Sequence, residues 1–207
     1  MIMDERLCKN IDSIMNLVKG HDWDWVMLID GPERSGKSDL ATQVQAYANN
    51  FSDPMKNLDL SVWTFDGLKK VAIDAAKGSC ITFHESGIYG REYKKKVNME
   101  AVRVFTTIGA KNLLFIMTFP SAHMLDPYLR NHRIRTRGYV HTINGERGYV
   151  KWYVRPFGPW ADENIAFIET FTSRFQAASS IYPELWAEVS KRDIYFKQNL
   201  LNGFGGE

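Results

Sequence analysis

The chain has 207 residues, 44% of them hydrophobic, and its 26 basic and 24 acidic residues give a formal net charge of +2. This composition excludes a disordered chain and favours one large folded domain, while the near-neutral charge says nothing of acidic partners. No apolar run reaches the ~18 residues of a membrane span, the charged N-terminus is unlike a signal peptide, and two isolated cysteines, Cys8 and Cys80, fit a reducing interior. We therefore expect a soluble protein of the host-cell cytoplasm, with a place in the virion as an alternative.

Helical apolar spacing alternates with short apolar runs along the first half of the chain. The predicted elements are, in order, a helix at 1–19, a strand at 25–29, a helix at 36–49, a strand at 58–65, a helix at 66–76 and a strand at 79–83. Asp66 is expected to cap the third helix and Gly78 to end it.

The second half continues this alternation and then changes pattern. The predicted elements are a helix at 92–108, a strand at 113–119, a short helix at 121–131 broken near Pro127, strands at 135–143 and 149–154, and helices at 164–178 and 183–201. The intervening sequence NGERG predicts that the two strands form a hairpin over residues 139–155.

Strands that alternate with helices predict an α/β fold, with a mostly parallel sheet and helices on both faces. We expect one domain over residues 1–207, to which the N-terminal helix at 1–20, the hairpin at 139–155 and the C-terminal helices at 160–207 are appended. Ligands of such sheets bind beyond the carboxyl ends of the strands. The residues that follow Ile29, Phe83 and Met117 are therefore the candidates for a functional site.

The first of these positions is a glycine-rich loop. Its sequence GPERSGKS fits G-x-x-x-x-G-K-[ST] between a predicted strand and a predicted helix. Such a loop turns backbone N–H groups toward phosphates at a helix N-terminus, its lysine reaches the outer phosphates, and its serine hydroxyl binds Mg²⁺. The predicted ATP-binding residues are Gly31, Pro32, Glu33, Arg34, Ser35, Gly36, Lys37, Ser38 and Asp39, with Lys37 also catalytic and Ser38 a metal ligand.

The other two strand ends supply candidates for catalysis. Glu85 is predicted to polarise the attacking water and to help hold Mg²⁺, with a solvated acid at the strand end as the alternative. His84 stands beside it where an aspartate is more usual, and because imidazole suits Mg²⁺ poorly, a structural role is favoured. Thr118 is a candidate for sensing the γ-phosphate or holding the water, or else it simply fills space in a strand.

Further short motifs accompany the loop between about Val26 and Lys191. They are Lys111-Asn112, Pro120-Ser121, Leu125-Asp126, Arg130 with Arg133, Arg147-Gly148-Tyr149 and Pro183-Glu184-Leu185-Trp186. With the loop, they resemble the FtsK–HerA type of P-loop ATPases, particularly the small zonular-occludens-toxin-like ATPases of viruses and plasmids. The resemblance implies an ATP-driven motor that acts on DNA, commonly as a ring and often as a hexamer. His84 and Gly109 depart from the family's pattern.

Two basic segments have candidate roles in such a motor. RNHRIRTR places four arginines in eight residues, and Arg130 and Arg133 are candidates for the cation that a neighbouring subunit presents to the γ-phosphate. REYKKK, at 91–96, is a candidate for sequence-independent contact with the backbone of double-stranded DNA. For both segments the alternative is a solvated basic surface.

Three functions remain open from the residues alone. The first is an ATPase that packages viral DNA or translocates plasmid DNA, and Glu85 at a strand end favours it. The second is a small-molecule kinase that acts on nucleotides, with residues 130–137 as its lid. The third is a nucleotide-binding switch with weak hydrolysis, which the substitutions at His84 and Gly109 suggest.

Glu85→Gln separates the first function from the other two. We expect this variant to bind ATP like the unsubstituted chain and to lose hydrolysis, because the amide cannot take a proton from water. Phosphate release and nucleotide binding, measured side by side, check this. Unchanged phosphate release would remove Glu85 from the mechanism.

Overall fold

The structure, a computed structural model, describes residues 3–84, 104, 111–156 and 167–203, with side chains as far as residue 199. Its helices are α1 (Glu5–Gly20), α2 (Lys37–Asn49), α3 (Phe65–Asp74) and α4 (Pro183–Gly203). Its strands are β1 (Trp25–Asp30), β2 (Ser61–Val62), β3 (Cys80–Phe83), β4 (Leu114–Phe119), β5 (Ile134–Ile143), β6 (Glu146–Val154) and β7 (Ile168–Arg174). Glu85, the basic run at 91–96 and, apart from Val104, the helix predicted at 92–108 lie outside the described residues.

The strands form a seven-stranded sheet in the order β2-β3-β4-β1-β5-β6-β7. The pairs from β2 to β5 are parallel, whereas β6 pairs antiparallel with both β5 and β7. The prediction of an α/β fold with a mostly parallel sheet is thus confirmed. Because β4 lies between β1 and β3, β3 is two strand spacings, about 10 Å, from β1.

Helices cover both faces of this sheet. Val26 and Leu28 of β1 pack with α3, and Met27 and Ile29 pack with α1 and α2 on the other face. The strand's alternation of side chains explains this division. Within the described residues, no helix has the length and apolar character needed to cross a membrane.

The first helix forms as its apolar spacing predicts. The Asp4 carboxylate caps α1 by accepting a hydrogen bond from the backbone N–H of Arg6. Its apolar residues form one buried stripe: Leu7, Ile11, Ile14, Met15 and Val18. The helix is also tied to the far end of the sheet, because Arg6 donates to the Thr172 carbonyl of β7 at 3.0 Å.

The strand predicted at 58–65 is wrong over most of its length. Asp53 caps a 3-10 helix, Pro54–Leu60, by accepting from the N–H of Met55, and only Ser61–Val62 pairs with β3. Pro54, the first residue of this helix, has a φ fixed near the helical value. Together with the Asp53 cap it favours a helical turn over the strand that the apolar residues predicted. Thr64, not Asp66, caps α3, since its hydroxyl accepts from the Gly67 N–H.

The helix predicted at 164–178 is also wrong in its described part, which contains β7. Phe171 and Phe175 are four residues apart, a spacing that suits one face of a helix and one face of a strand equally. Pairing with β6 decides between them: the Trp152 ring stacks on Phe171, and its indole N–H donates to the Ser173 hydroxyl at 2.9 Å.

The short helix predicted at 121–131 is replaced by two separate turns. A 3-10 turn covers Ala122–Met124, and one wide helical turn covers Leu129–Arg133. Pro127 lies between them, and a proline prevents a continuous helix there because it lacks the N–H that the helix requires.

The two cysteines differ in accessibility and hence in expected reactivity. Cys80 is fully buried in β3, where burial raises the pKa of its thiol, whereas Cys8 is half-buried on α1. A thiol reagent should therefore modify Cys8 in the native chain and Cys80 only after denaturation. In Cys8→Ser no label should enter without denaturant, and rapid native labelling of that variant would contradict the placement of β3.

Candidate nucleotide-binding site

The 31–38 loop joins the end of β1 to the start of α2 by a compact turn. Its backbone enters the left-handed region three times, with φ of +143° at Gly31, +58° at Arg34 and +103° at Gly36. A Cβ at Gly31 would lie 2.1 Å from the carbonyl oxygen of Val140, so only glycine fits there. Such alternation of backbone conformation turns successive N–H groups toward one concavity, which suits an anion.

Lys37 closes this loop. Its Nζ donates hydrogen bonds to the carbonyl oxygens of Gly31 at 2.9 Å and Pro32 at 2.7 Å. An entering phosphate would be a stronger, charged acceptor for the same ammonium. Ser35 lies inside the turn with only 1% of its surface exposed, and its hydroxyl has no hydrogen-bond partner among the described residues.

A buried carboxylate supports the base of the loop. Asp30, the last residue of β1, is 1% exposed and accepts from Arg137 Nε at 2.9 Å and Nη2 at 2.8 Å. Its Oδ2 also accepts from the N–H of Ala122 at 2.9 Å. These bonds join the end of β1 to β5 and to the turn after β4, and the two parallel bonds from the guanidinium of Arg137 fix the orientation of the carboxylate.

C-terminal segments pack against the N-terminus of α2. The Phe175 ring lies against Gly36, where a Cβ would be 3.2 Å from it. The Asp39 carboxylate accepts from the Ala178 N–H at 2.9 Å, and burial raises the pKa of Asp39 above its ordinary value. Asp39, predicted to contact nucleotide, is thus held against the turn that follows β7.

The side chain of Ser38, the predicted metal ligand, contacts α4. Its hydroxyl donates to Asp193 Oδ2 at 3.2 Å, while Asp193 Oδ1 accepts from the indole N–H of Trp63. The His84 ring stacks on Trp63, with centroids 5.0 Å apart. Burial lowers the pKa of His84, against a smaller opposing effect of Asp193, so the imidazole is neutral at physiological pH.

Thr118 lies near the same edge of the sheet. It pairs in register with Ile29, one residue before the end of β1, and is 3% exposed. By alternation with Ile116 it faces the side that α2 covers. The structure therefore brings Lys37, Ser38 and Thr118 together, with His84 at the end of β3 beside them.

Of the two candidate arginines, Arg133 lies at the opposite edge of the sheet, whereas the Arg130 side chain contacts the turn that follows β4. Arg133 forms a hydrogen-bonded ion pair with Asp24, immediately before β1, and both side chains are less than one-fifth exposed. Arg130 contacts Asn131 and His123. Because β1 and β5 are parallel, residues that precede them lie at the amino edge of the sheet, away from the 31–38 loop of the same chain. A contact with a neighbouring subunit stays a prediction.

Sequence reasoning overlooked Asp193 and the role of Arg137. Asp193 continues the buried face of α4 formed by Leu185, Val189 and Phe196, at spacings of three and four residues. An acidic residue in such an apolar stripe is unusual, so this pattern could have identified Asp193 as a candidate functional residue. Arg137 was considered only as one member of the arginine cluster, although it is the member that reaches Asp30.

Comparison with known proteins leaves the family open. No protein-family model matches the chain, and no curated protein matches it. The chemical interpretation of this edge of the sheet therefore depends on its geometry and on the resemblance of the motifs.

The donors at this edge fit Mg²⁺ that arrives with a nucleotide. No group of three His, Cys, Asp or Glu side chains among the described residues could hold a metal alone. Mg²⁺ bound to nucleotide takes most of its oxygens from phosphates and water, and needs only one or two protein ligands. The Ser38 hydroxyl at the start of α2 meets that requirement.

Removing the Arg137 side chain should destabilise the fold. Arg137→Ala leaves Asp30 charged and buried without its partner, which we expect to cost about 3–5 kcal/mol of the free energy of unfolding. Urea denaturation measures this. Arg174→Ala is the control, because its ion pair with Glu146 has both side chains about two-thirds exposed, and about 1 kcal/mol or less should be lost. Equal losses would contradict the buried pair.

Proposed function

We propose that this chain binds ATP with Mg²⁺ at the 31–38 loop and hydrolyses the ATP to move double-stranded DNA, in viral genome packaging or in plasmid DNA translocation. The observation that carries the proposal is the loop itself: a turn between β1 and α2 that enters the left-handed region three times and is closed by Lys37 on two loop carbonyls. Such a turn at the carboxyl end of a central parallel strand is suited to polyphosphate.

Each residue of this edge has a definite task in the proposed reaction. The backbone N–H groups and the N-terminus of α2 bind the phosphates, and Lys37 transfers its hydrogen bonds from the loop carbonyls to the outer phosphates. Ser38 contributes its hydroxyl to Mg²⁺, which neutralises charge that develops during cleavage. Thr118, at the end of the neighbouring strand, is positioned to contact the γ-phosphate or the water.

The sheet order favours hydrolysis over transfer to a second substrate. The strand that precedes Glu85 is separated from β1 by β4, about 10 Å in all. That distance would accommodate the γ-phosphate and one water, as hydrolysis requires. A base that takes a proton from this water contributes typically about 10²–10⁴-fold to the rate.

The nucleic-acid part of the proposal depends on the resemblance to FtsK–HerA ATPases. A ring of subunits, such as a hexamer, would bring Arg130 and Arg133 of one subunit toward the loop of the next. The run at 91–96 would contact the DNA backbone without reading bases. We expect such a motor to act where its DNA is located, in the host cytoplasm or at the forming virion.

An ATPase assay with and without duplex DNA tests the proposal. We expect phosphate release that rises with DNA of any sequence and a particle mass that rises with ATP and DNA. Lys37→Ala should abolish nucleotide binding and release, because the charge that meets the outer phosphates is gone. Lys77→Ala is the matched control, since Lys77 is exposed and pairs only loosely with Asp22 at 3.7 Å among the described residues.

Three results would contradict the motor. Turnover by a monomer that ignores DNA would exclude translocation. Transfer of label from ATP to a nucleoside monophosphate would favour a kinase, and tight binding without turnover would favour a switch.

A further inference from the structure

We propose that Asp193, near the end of the chain, is the protein carboxylate of the magnesium site, in the place of the acid that is missing at His84. This inference rests on the proposed nucleotide binding at the 31–38 loop and adds a second protein ligand to it. It is carried by the position of Asp193 beside Ser38, by its burial and by the unpartnered ring nitrogens of His84, which stacks on Trp63.

The spacing of the two oxygens suits a shared metal. Ser38 Oγ and Asp193 Oδ2 are 3.2 Å apart, joined by a hydrogen bond. Neighbouring ligands on an octahedron with metal–oxygen distances of about 2.1 Å lie about 3 Å from each other. Both are hard oxygen donors of the type Mg²⁺ prefers. The pair can therefore take up the metal by losing one hydrogen bond, with little movement of α2 or α4.

Asp193 forms no ion pair with another described residue. Asp193 is 8% exposed, and its two hydrogen-bond donors, Ser38 and Trp63, are both neutral. A buried carboxylate is costly unless a counter-charge accompanies it, and Mg²⁺ at Ser38 would supply one.

Trp63 orients this carboxylate. Its indole N–H engages Oδ1, which leaves Oδ2 directed at Ser38. Contacts of this kind hold a ligand in the geometry that the metal needs, and their loss commonly weakens metal binding. Trp63 is itself fixed by stacking on His84 and on Phe196, which follows Asp193 on α4.

A buried histidine without hydrogen-bond partners lies beside the same group. Both ring nitrogens of His84, which is fully buried and stacks on Trp63, lack a hydrogen-bond partner among the described residues. Polar groups left in this state commonly mark the place of a bound water, ion or ligand. A metal with its own water shell beside Asp193 would satisfy His84 through one of those waters.

A titration of Mn²⁺, a hard-cation substitute for Mg²⁺, tests the assignment without relying on turnover. The unsubstituted chain is saturated with a non-hydrolysable ATP analogue, and free Mn²⁺ is followed by electron paramagnetic resonance. Asp193→Asn should raise the Kd for Mn²⁺ at least about tenfold, because it removes the ligand charge and keeps the shape. Glu188→Gln, an acid of the same helix that pairs with Lys191, should change nothing.

A second variant asks whether residue 193 touches the metal. Asp193→Cys places a soft sulfur there, so binding should shift from Mn²⁺ toward Cd²⁺ by at least about tenfold in the ratio of the two Kd values. Thermal melts without metal establish that each variant is folded. Should Asp193→Asn fail to fold, the metal preference of Asp193→Cys decides alone.

The outcomes distinguish a failure of the Asp193 assignment from a failure of the proposed function on which it rests. If the unsubstituted chain binds no ATP analogue with metal, the proposed function and the Asp193 assignment both fall. If it binds normally and the Asp193 variants keep their Mn²⁺ affinity and preference, only the assignment falls. Tighter nucleotide binding by Asp193→Asn, with unchanged Mn²⁺ affinity, would make Asp193 a latch on Ser38 and would likewise overturn it.

Discussion

The buried carboxylate of Asp30 is the constraint on which the candidate site depends. The carboxylate accepts hydrogen bonds from Nε and Nη2 of Arg137 and from the backbone N–H of Ala122. Three segments that are distant in the chain therefore meet at Asp30. The 31–38 loop starts from that point, and its first residue is pressed against the Val140 carbonyl. The loop therefore leaves the sheet in one direction only, which gives its N–H groups a fixed orientation before any ligand arrives.

The C-terminal part of the chain packs against the end of the 31–38 loop and the start of α2. Phe175 covers Gly36, the turn at Ala178 binds Asp39, and α4 carries Asp193 to Ser38. Under the proposed function, the loop would bind phosphate through its backbone, and Asp193 would bring a metal ligand from an element distant in sequence. Asp193 lies on α4, which packs against Trp63, so the core fixes the orientation of its carboxylate.

The parts that sequence predicted well are those whose signals are local. The motif at 31–38 specifies a strand, a turn and a helix because glycines and a lysine at fixed spacing leave few other conformations. β7 was missed because the spacing of Phe171 and Phe175 serves helix and strand alike, and only pairing with β6 decides. The apolar stripe of α4 could have identified Asp193 as an unusual acid, but its partner could not be assigned, since Ser38 is 155 residues away in sequence.

The docking of α1 on β7 has a consequence for how the chain is made. Arg6 reaches Thr172 across 166 residues, and Met3 pairs with Phe175, the residue that also covers Gly36. At about 5–20 residues per second, a ribosome needs about 10 to 30 s to reach that strand after the first helix has emerged. During this interval the apolar stripe of α1 lacks its last cover, so the nascent chain is open to chaperones before Phe175 can cover Gly36.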